Sequence, residues 1–304
     1  MTPSSHSVQL EKAIDQLITQ KKLPVEFNET VLQFYLPLCE SLVGSRETGK
    51  PTIVGVQGAQ GTGKSTCAAF LKLLLENQFN LKTVVTSLDD FYLTRAQRSQ
   101  LGVEVHPLFA TRGVPGTHDI ELLQSVIDSI QKQVPGETYS IPLFDKAIDD
   151  RCSHENWLSV DAPVDILILE GWCVGMSPQQ QQELTTPVNA LESDEDPDGI
   201  WRKYVNDQLK CDYADLFAQL DFLVALQAPS FDCVYQWRSL QEEKLIASLQ
   251  QGQSRALTMN TKQLRRFISH YERLTRHGLA TLPDRANWLI QLREDHSVSE
   301  LISK

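Results

Sequence analysis

Long hydrophobic runs are missing from this sequence: no segment approaches the roughly 18 apolar residues that a membrane-spanning helix requires. A basic excess is missing too, because 39 Asp and Glu outnumber 28 Lys and Arg and leave a net charge of −11. None of the six cysteines belongs to a C-x-x-C pair, which argues against a zinc site or a disulfide scaffold. We therefore expect neither a membrane protein nor a nucleic-acid-binding surface.

The first residues also lack the features of a secretory signal. The segment "MTPSSHSVQLEKAIDQ" has no basic stretch followed by an apolar one. The cysteines are scattered along the chain, at Cys39, Cys67, Cys152, Cys173, Cys211 and Cys233. Together these observations predict a cytoplasmic protein with reduced, mostly buried thiols.

Two amphipathic segments, 8–21 and 29–43, come before the rest of the chain. Their apolar residues recur with the helical period, so both are predicted helices. Asn28 is the candidate N-cap of the second, and Pro37 is a candidate kink. Neither segment carries evident chemistry. We predict that residues 1–49 form a helical extension packed on a domain that spans 50–304.

From residue 52 the pattern changes to short apolar runs separated by helical segments. Several runs are apolar without alternation, as expected for parallel strands that are buried on both faces. The predicted strands are 52–57, 83–88, 139–144, 164–170, 221–227 and 287–292. A predicted helix at 119–133 turns Leu123, Val126, Ile127 and Ile130 inward. This order predicts an α/β fold with a doubly wound, mostly parallel sheet in a three-layer αβα arrangement.

The stretch 178–199, "PQQQQELTTPVNALESDEDPDG", has neither the strand nor the helix period. It is predicted to be a loop or a partly helical insertion. Its acidic residues between Glu192 and Asp198 are expected to form a solvated face rather than a metal site, because carboxylates in loops are usually hydrated.

The first predicted strand leads directly into "GAQGTGKST", residues 58–66. This matches the phosphate-loop pattern G-x-x-x-x-G-K-[ST], in which glycines let backbone N–H groups point at phosphate oxygens. Lys64 is expected to reach the β- and γ-phosphates, and Ser65 to bind Mg²⁺. The predicted nucleotide-binding residues are Gly58, Ala59, Gln60, Gly61, Thr62, Gly63, Lys64, Ser65 and Thr66. The chain lacks the N-K-x-D element of guanine-specific proteins and the L-S-G-G-Q element of transporter ATPases.

Carboxylates follow two of the predicted strands. Asp89 and Asp90 come after the strand at 83–88, and Glu170 ends the strand at 164–170. Ligands bind at the carboxyl ends of strands in such sheets, so Asp89 and Glu170 are expected beside the phosphates. There Asp89 would accept a proton from a hydroxyl nucleophile, and Ser65, Asp89 and Glu170 are the candidate Mg²⁺ ligands. Asp90 is expected to cap the following turn.

Several motifs occur in the order found in the D-glycerate 3-kinase family, which the chain resembles over about residues 50–295. They are "GVQGAQGTGKST", "SLDDFYLT", "TRGVPGTHD", "IPLFDKAIDDR", "ILEGW", "VYQWRSLQEEKL" and "RRFISHYERLT". The wider group of P-loop kinases includes phosphoribulokinase, uridine kinase and the bacterial pantothenate kinase. One departure is "FDKAIDDR", where the family usually has "FDKS" followed by Gly-rich spacing; here Ala147 replaces the serine.

The resemblance implies a P-loop kinase fold with a lid and assigns several site residues. It implies that Asp89 is the general base, that Glu170 lies near Mg²⁺, and that Arg238 is a lid arginine. The implied acceptor pocket contains Arg112, His118, Asp119, Asp145, Lys146 and Arg151. Arg and Lys can clamp a carboxylate, and Asp can hold hydroxyl groups. The alternative for these charged residues is ordinary surface ion pairing, and for Arg238 it is a pair with Glu242.

The sequence therefore predicts an ATP- and Mg²⁺-dependent kinase that acts on a hydroxyl group of a small metabolite, with D-glycerate as the leading acceptor. Two alternatives stay open: another hydroxylated acceptor, such as pantothenate or a nucleoside, and an ATP-binding regulator without acceptor activity. The oligomeric state does not follow from the sequence.

Overall fold

A computed structural model describes residues 5–248 and 259–304. Its helices are α1 (Ser5–Gln20), α2 (Phe27–Thr30), α3 (Leu36–Ser45), α4 (Lys64–Phe79), α5 (Arg95–Glu104), α6 (Ile120–Lys132), α7 (Ala190–Glu195), α8 (Ile200–Lys210), α9 (Asp212–Phe217), α10 (Phe231–Ser248) and α11 (Thr261–Arg285). Its strands are β1 (Thr52–Gly58), β2 (Thr83–Ser87), β3 (Thr138–Ile141), β4 (Phe144–Asp145), β5 (Asp150–Arg151), β6 (Leu158–Asp161), β7 (Ile166–Gly171), β8 (Phe222–Gln227), β9 (Trp288–Leu292) and β10 (Val298–Ser303).

The central sheet has six strands in the order β10-β9-β8-β1-β7-β2. All neighbouring pairs are parallel except β10 with β9. Every residue of β1 and β7 is buried, as their unbroken apolar sequences predict. The predicted α/β fold with a mostly parallel sheet is confirmed.

Alternate residues of each central strand enter two separate hydrophobic cores. On one face, Ile53, Leu167 and Leu223 pack in the core that contains α6 and α11. On the other face, Val54 and Ile168 pack in the core that contains α1, α3 and α4. Helices thus cover both sides of the sheet, which gives the three-layer arrangement. The four residues predicted to turn inward from α6 are all buried.

The prediction that residues 139–144 form a strand of the central sheet is wrong. Pro142 interrupts it, and β3 and β4 on either side each join a small antiparallel ladder, with β6 and β5 respectively. The exposed and buried residues of β3 alternate, which is the pattern of a strand with only one covered face. The edge strand β10 was not predicted, because half of "VSELIS" is polar.

The N-terminal helices pack on α4, the helix that comes after the phosphate loop. Ile14, Tyr35 and Leu38 share a buried core with Phe70 of α4. The second helical segment begins at Phe27 without a side-chain cap, so the prediction that Asn28 is its N-cap is wrong. In a regular α-helix the ring of Pro37 would clash with the carbonyl of Gln33, four residues earlier. A π-helical turn at Val31–Tyr35 comes just before Pro37 and makes room for the ring.

The insertion 178–199 contains a 3₁₀ turn at Gln181–Leu184 and the helix α7. The prediction that its acidic residues form a solvated face is wrong for two of them. Glu192 and Asp196 are almost fully buried, and they pair with the buried Arg273 and Arg202. Arg273 also donates hydrogen bonds to the Glu183 and Thr186 carbonyls, so the insertion is tied to α11 by charge and by backbone.

All six cysteines are free thiols, and four of them are buried, as predicted. Within residues 5–248 and 259–304, no helix is both long and apolar enough to cross a membrane.

The pair Arg273–Glu192 yields a stability prediction. Arg273→Ala leaves the Glu192 carboxylate buried without its partner, so we expect the free energy of unfolding to fall by about 3–5 kcal/mol. The control is Arg276→Ala, one turn along α11, which breaks a pair with Glu272 in which the Arg276 side chain is 53% exposed. That change should cost about 1 kcal/mol or less. Denaturant unfolding measures both; equal losses would contradict the assignment.

Candidate active site

The register of β7 with its neighbours assembles the site. Glu170 of β7 lies opposite Val56 of β1 on one side and Ser87 of β2 on the other. Because the three strands are parallel, the segments that leave their carboxyl ends emerge at the same edge of the sheet. The phosphate loop after β1 and the carboxylates after β2 are therefore neighbours of Glu170.

Two glycines give the phosphate loop its shape. Gly61 and Gly63 have φ values of +85° and +87°, in the left-handed region that side chains rarely adopt. A Cβ at Gly61 would also lie 2.7 Å from the Cβ of Trp237, so α10 packs directly on the loop. The helix α4 starts at Lys64 immediately after Gly63, and its unpaired N–H groups face the loop with the positive end of the helix dipole.

Ser65 and Glu170 form the part of the site that fits a divalent cation. The Ser65 hydroxyl donates a 2.7 Å hydrogen bond to Glu170 Oε1. Glu170 is 6% exposed, and its Oε2 is buried without a hydrogen-bond partner among the described residues. A buried, unpaired carboxylate oxygen beside the Ser65 hydroxyl suits a hydrated Mg²⁺, which takes few protein ligands and keeps several waters and phosphate oxygens.

Asp89 lies in the 3₁₀ turn after β2, and both its oxygens have donors. Lys146 Nζ donates to Oδ2 at 2.6 Å, and the Tyr92 hydroxyl donates to Oδ1 at 3.0 Å. Burial alone raises the pKa of Asp89, but the ammonium groups of Lys146 and Lys64 outweigh burial and hold the pKa at about 2. Asp89 is therefore ionised at neutral pH and ready to accept a hydrogen bond from a hydroxyl group.

Asp90 has a different environment from its neighbour. Its carboxylate accepts hydrogen bonds from the backbone N–H groups of Ser87 and Phe144, at 3.4 and 3.2 Å. The Ser87 bond is part of a capping box that closes the turn, and the Phe144 bond attaches the β4–β5 hairpin to it. Burial raises the pKa of Asp90 above its ordinary value. These are the contacts of a turn cap, as the sequence suggested for this residue.

A cavity of about 470 Å³ connects the loop to Asp89. Its lining consists of Gln60, Gly61, Gly63, Lys64, Ser65, Thr66, Asp89, Tyr92, Arg112, Lys146, Trp172, Arg238, Gln241, Phe267 and Tyr271. The sequence predicted no role for five of these residues, which are Tyr92, Trp172, Gln241, Phe267 and Tyr271. They lie in "DDFYL", "ILEGW", "LQEEKL" and "RRFISHYERLT", motifs that carried the family resemblance but have no charged group at these positions to suggest chemistry.

Three of the four cations in the cavity wall have an acidic partner. Arg112 pairs with Asp149 and lies 5.6 Å from the centroid of the Phe144 ring. Arg238 pairs with Glu242 at 2.9 Å, which is the alternative the sequence offered for it, and it also lines the cavity. Lys146 pairs with Asp89. Lys64 makes no ion pair within the described residues, which leaves its charge available to a phosphate.

Four residues of the predicted acceptor pocket fall outside the cavity lining as the structure describes it. Asp119 caps α6 and pairs with Arg151 at 2.9 Å. Asp145 accepts a hydrogen bond from the Ala147 N–H within the hairpin turn. His118 is buried beneath Tyr92, with ring centroids 4.5 Å apart.

The contacts of these residues lead to Tyr92. Burial lowers the pKa of His118 to about 4, so its ring is neutral, and Nδ1 lies 2.6 Å from the Tyr213 hydroxyl. Arg151 donates to the Tyr92 carbonyl at 3.0 Å. His118 and Arg151 therefore hold the tyrosine that in turn holds Asp89.

Comparison with known proteins agrees with this architecture. No family model matches the chain. A Schizosaccharomyces pombe kinase, mug58, is 34% identical over 231 residues, which cover 73% of this chain and 79% of that protein. The chloroplastic D-glycerate 3-kinase of Arabidopsis thaliana is 26% identical over 273 residues, 84% of this chain and 56% of the plant protein. The structure of D-glycerate 3-kinase from Cryptococcus neoformans superposes with a TM-score of 0.71 at 25% identity, covering 92% of this chain and all of that one.

The fold, the phosphate loop and these similarities define an ATP-dependent P-loop kinase. The chain belongs to the family of P-loop kinases that includes D-glycerate 3-kinase.

The site predicts the effect of removing the loop lysine. Lys64→Ala should weaken ATP binding about 10- to 100-fold, because a charge-assisted contact with phosphate is lost. The control is Lys50→Ala, which removes the same charge from an exposed position just before β1, at the end of that strand opposite to the phosphate loop. Isothermal titration with ATP and Mg²⁺ compares them. Unchanged affinity in Lys64→Ala would remove the loop from the nucleotide site.

Proposed function

We propose that this kinase transfers the γ-phosphate of ATP to a hydroxyl group of a small hydroxy acid, with D-glycerate as the acceptor. The observation that carries the proposal is the contact of Lys146 with Asp89 in the wall of the cavity that also contains Lys64 and Ser65. A proton acceptor and a cation that can bind a carboxylate thus stand side by side near the phosphate loop. A small molecule with both a hydroxyl group and a carboxylate matches that pair.

The proposed reaction has one chemical step. The acceptor's hydroxyl proton passes to Asp89 as its oxygen forms a bond to the γ-phosphorus. The bond between that phosphorus and the β–γ bridging oxygen breaks, and ADP leaves with the bond's electron pair. Lys64 neutralises charge on the transferring phosphate, and Arg238, which also faces the cavity, is proposed to do the same from α10.

Ser65 and Glu170 are proposed to hold Mg²⁺, directly or through its waters. The ion, when bound, would neutralise charge on the β- and γ-phosphates. Asp89 gives its two oxygens to Lys146 and Tyr92, so we assign it to the proton rather than to the metal.

An acceptor screen tests the function. With ATP and Mg²⁺ present, ADP release should be stimulated by D-glycerate, and less by glycerol, pantothenate or a nucleoside. The reason is that only a compact hydroxy acid can reach Lys146 with its carboxylate and Asp89 with its hydroxyl group. Coupled detection of ADP and identification of the phosphorylated product give the readout. Stronger stimulation by pantothenate or a nucleoside would replace D-glycerate with that acceptor.

The two adjacent aspartates should differ in their effect on catalysis. Asp89→Asn keeps the size of the side chain but removes the proton acceptor, so kcat for transfer should fall about 10²–10⁴-fold. Asp90→Asn weakens a turn cap worth about 1 kcal/mol and should leave kcat within about tenfold.

Thermal unfolding supplies the control for this pair, since both variants should melt cooperatively. An inactive Asp90→Asn enzyme beside an active Asp89→Asn enzyme would mean that the base has been assigned to the wrong carboxylate. If neither change matters, Asp89 has no part in the chemistry.

A further inference from the structure

We propose that Lys146 exchanges partners when the acceptor binds: it holds Asp89 in the free enzyme and moves to the acceptor's carboxylate in the complex. This inference rests on the hydroxy-acid kinase activity proposed above. It makes Lys146 a specificity-determining residue, because only an acceptor that carries a carboxylate can draw the ammonium group away from Asp89.

The hairpin that carries Lys146 is fixed by its backbone at both ends. The Phe144 N–H donates to Asp90 at 3.2 Å, and the Asp149 carbonyl accepts from the buried Arg98 at 2.7 Å. Between these anchors the Lys146 side chain is 60% exposed and reaches Asp89 through its own flexible stem. The exchange therefore requires rotation of one long side chain and no movement of the hairpin.

The other paired cations of the cavity are less suited to such an exchange. The partners of Arg112 and Arg238 are Asp149 and Glu242, which are not among the residues lining the described cavity. Both guanidinium groups are also packed near aromatic rings, those of Phe144 and Phe267. Lys146 is the most exposed of the three, and its partner Asp89 is itself a lining residue. A ligand that enters the cavity meets this ion pair directly.

The exchange has a consequence for Asp89. The Tyr92 hydrogen bond stays, so the carboxylate keeps its position. The Lys146 ammonium group, which together with Lys64 lowers the pKa of Asp89, now contacts a second anion, so that pKa rises and Asp89 becomes a stronger proton acceptor. Without an acidic acceptor Asp89 remains paired with Lys146, which makes activation of water or of an uncharged alcohol inefficient.

Binding measurements on a double-mutant cycle test the exchange. D-glycerate is titrated by calorimetry, in the presence of a non-hydrolysable ATP analogue and Mg²⁺, into wild type, Asp89→Asn, Lys146→Met and the double variant. Asp89→Asn should bind D-glycerate about 3- to 10-fold more tightly, since Lys146 no longer has to leave an ion pair. Lys146→Met should bind it about tenfold more weakly. In the Lys146→Met background, Asp89→Asn should change the affinity less than about twofold.

Two controls separate the exchange from a general loss of negative charge. Asp90→Asn removes the same charge one residue away, where the carboxylate binds backbone N–H groups, and should not tighten binding. Glyceramide, in which an amide replaces the carboxylate, should bind wild type and Asp89→Asn equally. If Asp89→Asn tightens D-glycerate binding just as much in the Lys146→Met background, or if Asp90→Asn has the same effect, simple repulsion explains the result and the exchange is overturned.

The same titrations distinguish failure of the exchange from failure of the proposed function. Wild type that binds D-glycerate, with unchanged affinity in Asp89→Asn, overturns the exchange alone. Wild type that binds no D-glycerate but binds an acceptor without a carboxylate overturns the proposed acceptor and the exchange together.

Discussion

The hydrogen bonds of β7 to β1 on one side and to β2 on the other are the constraint on which the site depends. They set Glu170 level with Val56 and Ser87, so that three chain segments far apart in sequence leave the sheet at one edge. A shift of one residue would turn Glu170 to the opposite face and remove it from Ser65. The continuous apolar sequence of β7 allows burial on both faces, and the parallel neighbours determine which residue reaches the edge.

A second layer of contacts positions the groups that this register brings together. Asp90 attaches the β4–β5 hairpin to the turn after β2, and the hairpin delivers Lys146 to Asp89. Tyr92, stacked on the buried His118, holds the other oxygen of Asp89. The two adjacent carboxylates therefore have different environments, because Asp90 accepts hydrogen bonds from backbone N–H groups and Asp89 faces the cavity. Their difference arises from surroundings and not from residue type.

The central fold could be predicted because its signals are local. The phosphate loop follows a strand and opens a helix, and the apolar runs of β1 and β7 are typical of strands covered on both sides. The prediction failed where the outcome depends on distant partners. Nothing near Glu192 in the sequence reveals that it will be buried in a pair with Arg273, which lies about eighty residues further along the chain. Likewise, the aromatic residues Phe267 and Tyr271 reach the cavity only through the packing of α11, and helical periodicity assigns such residues to the core.

The burial of Glu192 and Asp196 has a practical consequence for anyone who redesigns this enzyme. Residues 178–199 look like a dispensable surface loop, rich in glutamine and acidic residues, that could be trimmed to obtain a smaller protein. A shortened variant would instead strip the counter-charges from two buried arginines. One of them, Arg273, lies on α11 two residues after Tyr271, which lines the cavity. Protein engineers should therefore treat this segment as part of the scaffold that supports the cavity wall.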